Sequence, residues 1–451
     1  MLTGSKRGYF RFGMALALIA GLALSPPPAR AADGVRLIRD AEIEQTLWRV
    51  TGPILDAAGL DRSGVKIYIV QDSTLNAFVA GGMNLFLNTG LLMRTENMDQ
   101  LAGVIAHEVG HMAGGHLSRV GPAQERAAAE MILAAVLGAA AAVAGSSPEL
   151  GAAIITGGQR YAQGQFMRFS RGQEQAADQA AITYLNRLGI SPRGLAEFFH
   201  VIENENVLSI SISPYLRSHP LTRDRITFVE NQVAQSAGRK DSGLMDQLAG
   251  AHARMVAKLK AFLNDPRQVL DEYRDDDSLV GRYARAIAHY RLPDLDRALK
   301  EIDALIAEHP KDPFFHELKG QMLFENGRIE DAVGAYREAV ALLPHSALLH
   351  VALARAMIES GDEAENHQAI GQLEVALRNE STNAGAWRLL GIAQGRDGLE
   401  GRSSLSLAES ALLLGNRDDA RLYAKRAESR IEPSDPAWLR LQDILRVIEQ
   451  S

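Results

Sequence analysis

The strongest chemical signal in the sequence is a pair of histidines, His107 and His111, with Glu108 directly after the first of them. Residues four apart lie one turn apart on the same face of a helix, so both imidazoles can reach one metal ion. The adjacent carboxylate can act as a general base on a water beside that ion. Two ligands alone do not define a site, and two histidines packed inside a buried helix remain the alternative at this point.

A third ligand is needed because a catalytic zinc ion usually has three protein ligands and one open position. Glu174 is the candidate, and Asp178 follows it four residues later. On a helix the two carboxylates share a face, so Glu174 could bind the metal while Asp178 accepts a hydrogen bond from a ligand histidine. This spacing is also common on a solvated helix face. In the same chain as the histidine pair it favours the ligand interpretation, and we expect one Zn²⁺ per chain.

The composition restricts the remaining chemistry. The chain has 451 residues, no cysteine, and 48 basic against 55 acidic side chains, for a net charge of −7. Without cysteine there can be no disulfide, thiolate metal site or cysteine nucleophile. The mildly acidic balance offers no broad basic face, so nucleic acid is not an expected partner. The length and the 46% hydrophobic content predict two folded domains.

Local patterns indicate the elements that must position these residues. Asn97 is placed to cap an amphipathic helix that carries the histidine pair and ends near Gly114. Residues 66–70 have the composition of a strand, and residues 83–88 alternate polar and apolar side chains. Further helices are expected at about 121–143, 171–188, 193–205 and 222–238. The first half of the chain is therefore predicted to be α+β, mainly α, with a small β-sheet.

A different pattern begins near Gly250. Pro310 and Pro344 are 34 residues apart, and Gly320 and Gly327 lie between them at positions suited to a close helix contact and a turn. This period resembles the tetratricopeptide repeat. Such units cannot bury their apolar faces alone, so they stack into an all-α superhelix with a concave surface. An ordinary helical bundle is the alternative. We expect a zinc-hydrolase domain over residues 32–245 and a repeat domain over residues 250–451.

The N-terminus is typical of an export signal. Basic residues precede an apolar run from Phe12 to Leu24, which is followed by Ala29-Arg30-Ala31, a small-x-small cleavage site. We expect residues 1–31 to be a signal peptide and the mature protein to reach the periplasm; an uncleaved anchor is the alternative. The uncharged stretch from Met131 to Ser147 is predicted to cover the catalytic cleft or to contact a membrane surface, and a true membrane span is its alternative.

Three motifs together resemble those of the Ste24/HtpX-type zinc metallopeptidases of the gluzincin group. They are, in chain order, His107-Glu-x-x-His111, Glu174-x-x-Ala177-Asp178, and Ser218-His219-Pro220 followed by Arg225. With an export signal and C-terminal repeats, the chain is similar to the periplasmic protease-chaperones of that family. The resemblance implies an exported zinc metalloendopeptidase that degrades misfolded or stalled envelope proteins. It also implies that the repeats contact the machinery that assembles outer-membrane proteins. The alternative is a chaperone or adaptor with latent protease activity.

The resemblance also implies roles for further residues. His219 would approach the metal, either as an additional ligand in a closed resting state or as a donor to the oxyanion; a turn histidine is the alternative. Arg225 would stabilise the oxyanion or orient the substrate. The segment Met83-Asn84-Leu85-Phe86 resembles the family's edge strand, to which an extended, unfolded polypeptide could add. An ordinary central strand is the alternative for this segment.

One departure from the resemblance is the lack of cysteine. Enterobacterial members of the protease-chaperone group carry a disulfide between the two domains, and this chain cannot form one. The two domains must therefore hold together by other contacts.

Overall fold

The computed structural model describes residues 36–116, 171–208, 214–236 and 242–449. All of them belong to one compact unit, Gly34–Ser451. The predicted signal peptide, the predicted helix at 121–143 and the stretch from Met131 to Ser147 lie outside the described residues.

A four-stranded sheet begins this unit. Its strands are β1 (Leu37–Ile38), β2 (Lys66–Val70), β3 (Ala77–Ala80) and β4 (Asn84–Asn88), in the order β1-β2-β4-β3. Strands β2 and β4 are parallel, with Ile67 opposite Leu85, and the other two pairs are antiparallel. Leu85 and Leu87 are fully buried in the hydrophobic core. The sheet therefore forms one wall of that core.

The position of β4 corrects the edge-strand prediction for Met83, Asn84, Leu85 and Phe86. Strand β4 pairs with β2 on one side and with β3 on the other. Because both of its hydrogen-bonding edges are occupied, an extended substrate cannot add to it. The segment is the central strand that the sequence left as the alternative. Among the described strands, β3 lies at this edge of the sheet.

Seven helices of the described residues complete this part of the protein. They are α1 (Ala41–Ala58), α2 (Thr89–Arg94), α3 (Met98–Ala113), α4 (Arg171–Arg187), α5 (Arg193–Leu208), α6 (Pro214–Ser218) and α7 (Arg223–Ser236). Asn97 caps α3 as predicted, since its side chain accepts a hydrogen bond from the Gln100 amide. Helix α3 is buried from Gln100 to His111. It is the central helix around which the others pack.

The described residues from Leu244 to Glu449 are mainly helical. Their helices are α8 (Leu244–Leu263), α9 (Pro266–Glu272), α10 (Leu279–Arg291), α11 (Leu295–Glu308), α12 (Pro313–Glu325), α13 (Ile329–Leu342), α14 (Ala347–Glu359), α15 (Glu363–Asn379), α16 (Ala384–Arg396), α17 (Glu400–Leu413), α18 (Arg417–Glu428) and α19 (Ala437–Glu449). A Cβ at Gly320 would come within 2.8 Å of the Tyr336 ring, and Gly327 has a φ of 76° at the predicted turn. The predicted fold class, a mainly helical α+β domain followed by all-helical repeats, is confirmed.

Helix α8 connects the two parts. Its residues Leu248, Met255 and Leu259 pack in the core of the sheet and α3, whereas Ala257 and Ala261 pack in the first core of the repeats. The helix thus runs through the predicted boundary between residues 245 and 250, which stays a prediction. None of the helices in the described ranges is long and apolar enough to cross a membrane.

Buried ion pairs join the start of α1 to the repeats. The Glu42 carboxylate lies 2.7 Å from a guanidinium nitrogen of Arg254 and accepts a hydrogen bond of 2.8 Å from the Tyr283 hydroxyl. The Lys258 ammonium lies 2.7 Å from Asp40. Because the chain has no cysteine, no disulfide can join the two parts. Ion pairs and apolar packing hold them together instead.

Candidate metal centre

The sequence motifs converge from three parts of the chain. Helix α3 carries His107, Glu108 and His111, helix α4 carries Glu174 and Asp178, and His219 and Arg225 come from the end of α6 and the start of α7. Helices α3 and α4 approach closely at Gly110, where a Cβ would lie 2.8 Å from the carbonyl oxygen of Ala177. This close approach brings the Glu174 carboxylate up to the two histidines.

Four side chains point their ligand atoms at one position. The ring nitrogens of His107, His111 and His219 and the carboxylate of Glu174 all lie within 4.8 Å of one another. The Nε2 atoms of His107 and His111 are 3.1 Å apart, and Glu174 lies 3.4 Å from each of them. His219 presents Nδ1, at 3.3 Å from Glu174. All four side chains are buried.

Asp178 and Arg225 surround these ligands. Asp178 Oδ1 lies 2.9 Å from His107 Nδ1, the ring nitrogen that faces away from the cluster. The Arg225 guanidinium donates to both oxygens of Asp178, at 2.7 and 2.8 Å, and lies 3.0 Å from Glu174. It also donates to the Pro220 carbonyl, at 2.9 Å. Arg225 therefore fixes both carboxylates and the loop that follows His219.

Glu108 stands beside the ligand cluster with its carboxylate buried. Neither of its oxygens has a hydrogen-bond partner among the described residues, and Oε1 lies 3.5 Å from His219 Nε2. Buried carboxylates are nearly always hydrogen-bonded, so a group beyond the described residues belongs next to it. A water is the group that a general base requires at this position.

The electrostatics of the site depend on burial and on these partners. Burial alone would lower the pKa of His107, but the adjacent carboxylates of Asp178 and Glu174 outweigh burial and raise the pKa to about 9. Burial would raise the pKa of Asp178, whereas Arg225 and His107 hold it below its usual value. Burial raises the pKa of Glu108. A base with a raised pKa binds a proton more tightly, which suits proton transfer near neutral pH.

The donor set fits a metal ion. Imidazole nitrogens and a carboxylate oxygen are the ligands that zinc takes in proteins without cysteine. The outward nitrogen of His107 has a carboxylate partner, as is usual for a metal-bound histidine. The partnerless carboxylate of Glu108 is explained by the same site. The residues present therefore fit the zinc ion that the motifs imply.

Two residues near the ligands were not assigned a role from the sequence. His116 does not belong to the ligand cluster, yet its ring lies against His111. Tyr215 is buried, and its ring centroid lies 4.7 Å from that of His219. The sequence signals were the Gly114-Gly115 turn before His116 and the one-turn spacing from Tyr215 to His219.

A model of peptidase family M48 matches residues 38–233. The chain contains an M48 peptidase domain. The match covers the sheet, the histidine pair, Glu174 and Arg225, and a tetratricopeptide repeat model matches residues 283–347. The protein is therefore a metalloprotease with tetratricopeptide repeats, as its motifs predicted.

Several curated proteins are similar to this chain along much of their length. The beta-barrel assembly-enhancing protease of Yersinia pestis is 25% identical over 400 residues, which cover 88% of this chain and 81% of that protein. The protein of the same name from Escherichia coli K12 is 24% identical with the same coverage. The mitochondrial metalloendopeptidase OMA1 of Schizosaccharomyces pombe is 22% identical over 194 residues, 43% of this chain and 54% of that protein.

Proposed function

We propose that this M48 protein is a zinc-dependent endopeptidase that cleaves unfolded or misfolded polypeptides during outer-membrane protein assembly. The observation that carries the proposal is the convergence of His107, His111, Glu174 and His219 around one position, with Glu108 beside it. The names of the Yersinia and Escherichia relatives support the assembly context.

The residues divide the work of peptide hydrolysis. When bound, zinc supplies Lewis-acid chemistry, which activates a water and polarises the scissile carbonyl. Glu108 takes the proton from the attacking water and delivers it to the leaving amine. Asp178 holds the proton on His107 Nδ1, so that Nε2 keeps its lone pair for the metal.

Arg225 acts on the ligands in this proposal. Its donors contact Asp178, Glu174 and the Pro220 carbonyl, so it fixes the carboxylates and the loop that carries His219. The oxyanion role predicted for Arg225 from the resemblance requires one of these donors to turn toward the substrate. That role stays a prediction.

His219 gives the protein a latent state in this proposal. An imidazole within the ligand cluster takes the position that water needs, so proteolysis requires the loop of His219 and Pro220 to move away. The same geometry supports a second function, in which the protein works mainly as a chaperone or adaptor and cleaves only when this loop opens. The role of His219 as an oxyanion donor is the alternative.

We place the substrate at β3. Residues Ala77–Ala80 form the strand next to β4, and β3 packs against the helix that carries the histidine pair. An extended polypeptide that adds to β3 is recognised through its backbone, so it must be unfolded but needs no particular sequence.

The remaining parts of the proposal concern location and partners. We propose that residues 1–31 direct export to the periplasm, that residues 32–245 and 250–451 are the two domains, and that the repeats recruit assembly machinery through their concave face. The uncharged segment from Met131 to Ser147 is proposed to contact a membrane surface.

Metal content tests the core of the proposal. We expect one zinc per chain in the mature protein, and loss of zinc in His107→Ala and Glu174→Ala. His345→Ala is the matched control, because His345 is an exposed histidine in the repeats. Unchanged zinc content in Glu174→Ala would mean that the third ligand is a different residue.

Casein cleavage distinguishes the protease from the chaperone or adaptor. A protease predicts cleavage by wild type but not by Glu108→Gln.

A further inference from the structure

His116 lies against the outer side of the metal ligand His111. The Nδ1 atoms of the two rings are 2.9 Å apart, and the rings meet edge to face with centroids 5.0 Å apart. His116 is 5% exposed, so water does not compete freely for this contact. Neither the metal-binding cluster nor the catalytic base includes this residue.

The chain folds specifically to make this contact. Helix α3 ends at Ala113, and Gly115, with a φ of 57°, turns the chain back over the last turn of the helix. The His116 amide donates to the His111 carbonyl at 3.2 Å. Gly114 leaves the room for the ring, because a Cβ there would lie 2.5 Å from His116 Nε2. Two consecutive glycines therefore place this imidazole beside the ligand.

The tautomers follow from the ring geometry. His111 turns Nε2 toward the cluster, 3.1 Å from His107 Nε2, and a nitrogen that binds a metal must offer its lone pair. The proton of neutral His111 is then on Nδ1. The His111 Nδ1–H group then donates a hydrogen bond to Nδ1 of His116. Because this nitrogen accepts, the proton of neutral His116 is on Nε2. His107 has the same arrangement, with Asp178 as the acceptor.

We infer that His116 is a positioning residue that fixes the tautomer and orientation of His111 for metal binding. This inference rests on the proposed metal site and extends it to a second ligand with a dedicated partner. The two partners differ in charge: His107 has the anionic Asp178, and His111 has a neutral imidazole. Loss of such an outer partner typically weakens metal affinity by about 10–100-fold.

The test measures the zinc dissociation constant of the full mature chain by competition with a chromophoric chelator. We expect His116→Ala and His116→Phe to weaken zinc binding by about 10–100-fold. His116→Asn should bind nearly as tightly as wild type, because the asparagine oxygen occupies the place of Nδ1 and accepts the same hydrogen bond. His345→Ala is the control in the repeats. Equal affinity in His116→Ala and wild type overturns the inference, and so does His116→Asn binding as weakly as His116→Ala.

Gly114→Ala provides a second, independent variant. Its φ of −71° accepts alanine without backbone strain, so the substitution acts through the clash with the His116 ring. We expect it to weaken zinc binding in the wild-type background and to add little in the His116→Ala background. If Gly114→Ala weakens zinc binding equally in both backgrounds, it does not act through His116.

The zinc measurements distinguish failure of this inference from failure of the proposed function. If wild type binds no zinc, the proposed function fails. If wild type binds zinc and the His116 variants bind it equally well, only this inference fails.

Discussion

The buried carboxylate of Glu108 leads to the first prediction at the scale of single residues. Glu108→Gln keeps the shape of the side chain and removes the base, so we expect peptidase activity to fall by about 10²–10⁴-fold while zinc content stays the same. Casein cleavage and metal analysis of the same samples measure both effects. Glu338→Gln, an exposed position in the repeats, is the control. Activity near that of wild type in Glu108→Gln would exclude Glu108 as the base.

His219 leads to a prediction with a definite direction. Because its imidazole occupies the ligand cluster, His219→Ala should raise proteolysis, with self-cleavage as an accompanying sign. If His219 instead donates to the oxyanion, the same change should lower the rate by about 10²–10³-fold. Initial rates at equal zinc content distinguish the two. A variant with normal zinc and wild-type activity contradicts both roles.

The protonation of His107 gives metal binding a pH dependence. Asp178 and Glu174 raise the pKa of His107 to about 9 against the effect of burial, so the metal-free site carries a proton there at pH 7. Zinc must displace this proton, and its apparent affinity should therefore increase between pH 6.5 and 8.5 by close to tenfold per unit. Asp178→Asn removes the carboxylate that raises the pKa of His107 most, so the zinc affinity of this variant should depend less on pH near pH 8. Affinity that does not change with pH would contradict the assigned protonation.

At the scale of secondary structure, the contact between α3 and α4 decides whether the ligands meet. A Cβ at Gly110 would press on the backbone of Ala177, three residues after Glu174. We expect Gly110→Ala to push α4 outward and to weaken zinc binding by at least tenfold, although alanine favours the helix by about 1 kcal/mol. Gly334→Ala is a matched control on a helix with open space around its glycine. If the two variants bind zinc equally, the close approach does not control the site.

The helices of the site were predictable because their spacing dictates their geometry. His107 and His111, like Glu174 and Asp178, are four residues apart, which puts each pair on one helix face whatever the fold. Strand neighbours are not encoded in this way. The alternation in residues 83–88 indicates which side chains face the core. Central strands and edge strands both show this alternation, so it did not predict that β4 pairs with β3. The contact between His116 and His111 was not predicted, because it depends on a turn after the helix ends.

At the scale of the whole molecule, buried ion pairs link the start of α1 to α8. Glu42 is buried beside Arg254, Lys258 and the Tyr283 hydroxyl. Glu42→Gln leaves two buried cations with less compensation, and we expect the free energy of unfolding to fall by roughly 3–5 kcal/mol. Thermal unfolding of this variant is compared with that of Glu338→Gln. Equal melting temperatures would show that the Glu42 carboxylate adds nothing to the stability of the connection.

The sharing of α8 between two cores affects the order in which the chain can acquire activity. The side chains of Met255 and Leu259 fill the core beneath α1 and α3, yet they lie on the helix that also starts the repeats. During synthesis from the N-terminus, the zinc ligands are complete well before these residues become available. An unfinished or truncated chain therefore has every catalytic group but an open core around them. We therefore expect a chain that ends before α8 to lack protease activity, although it carries every residue of the metal site.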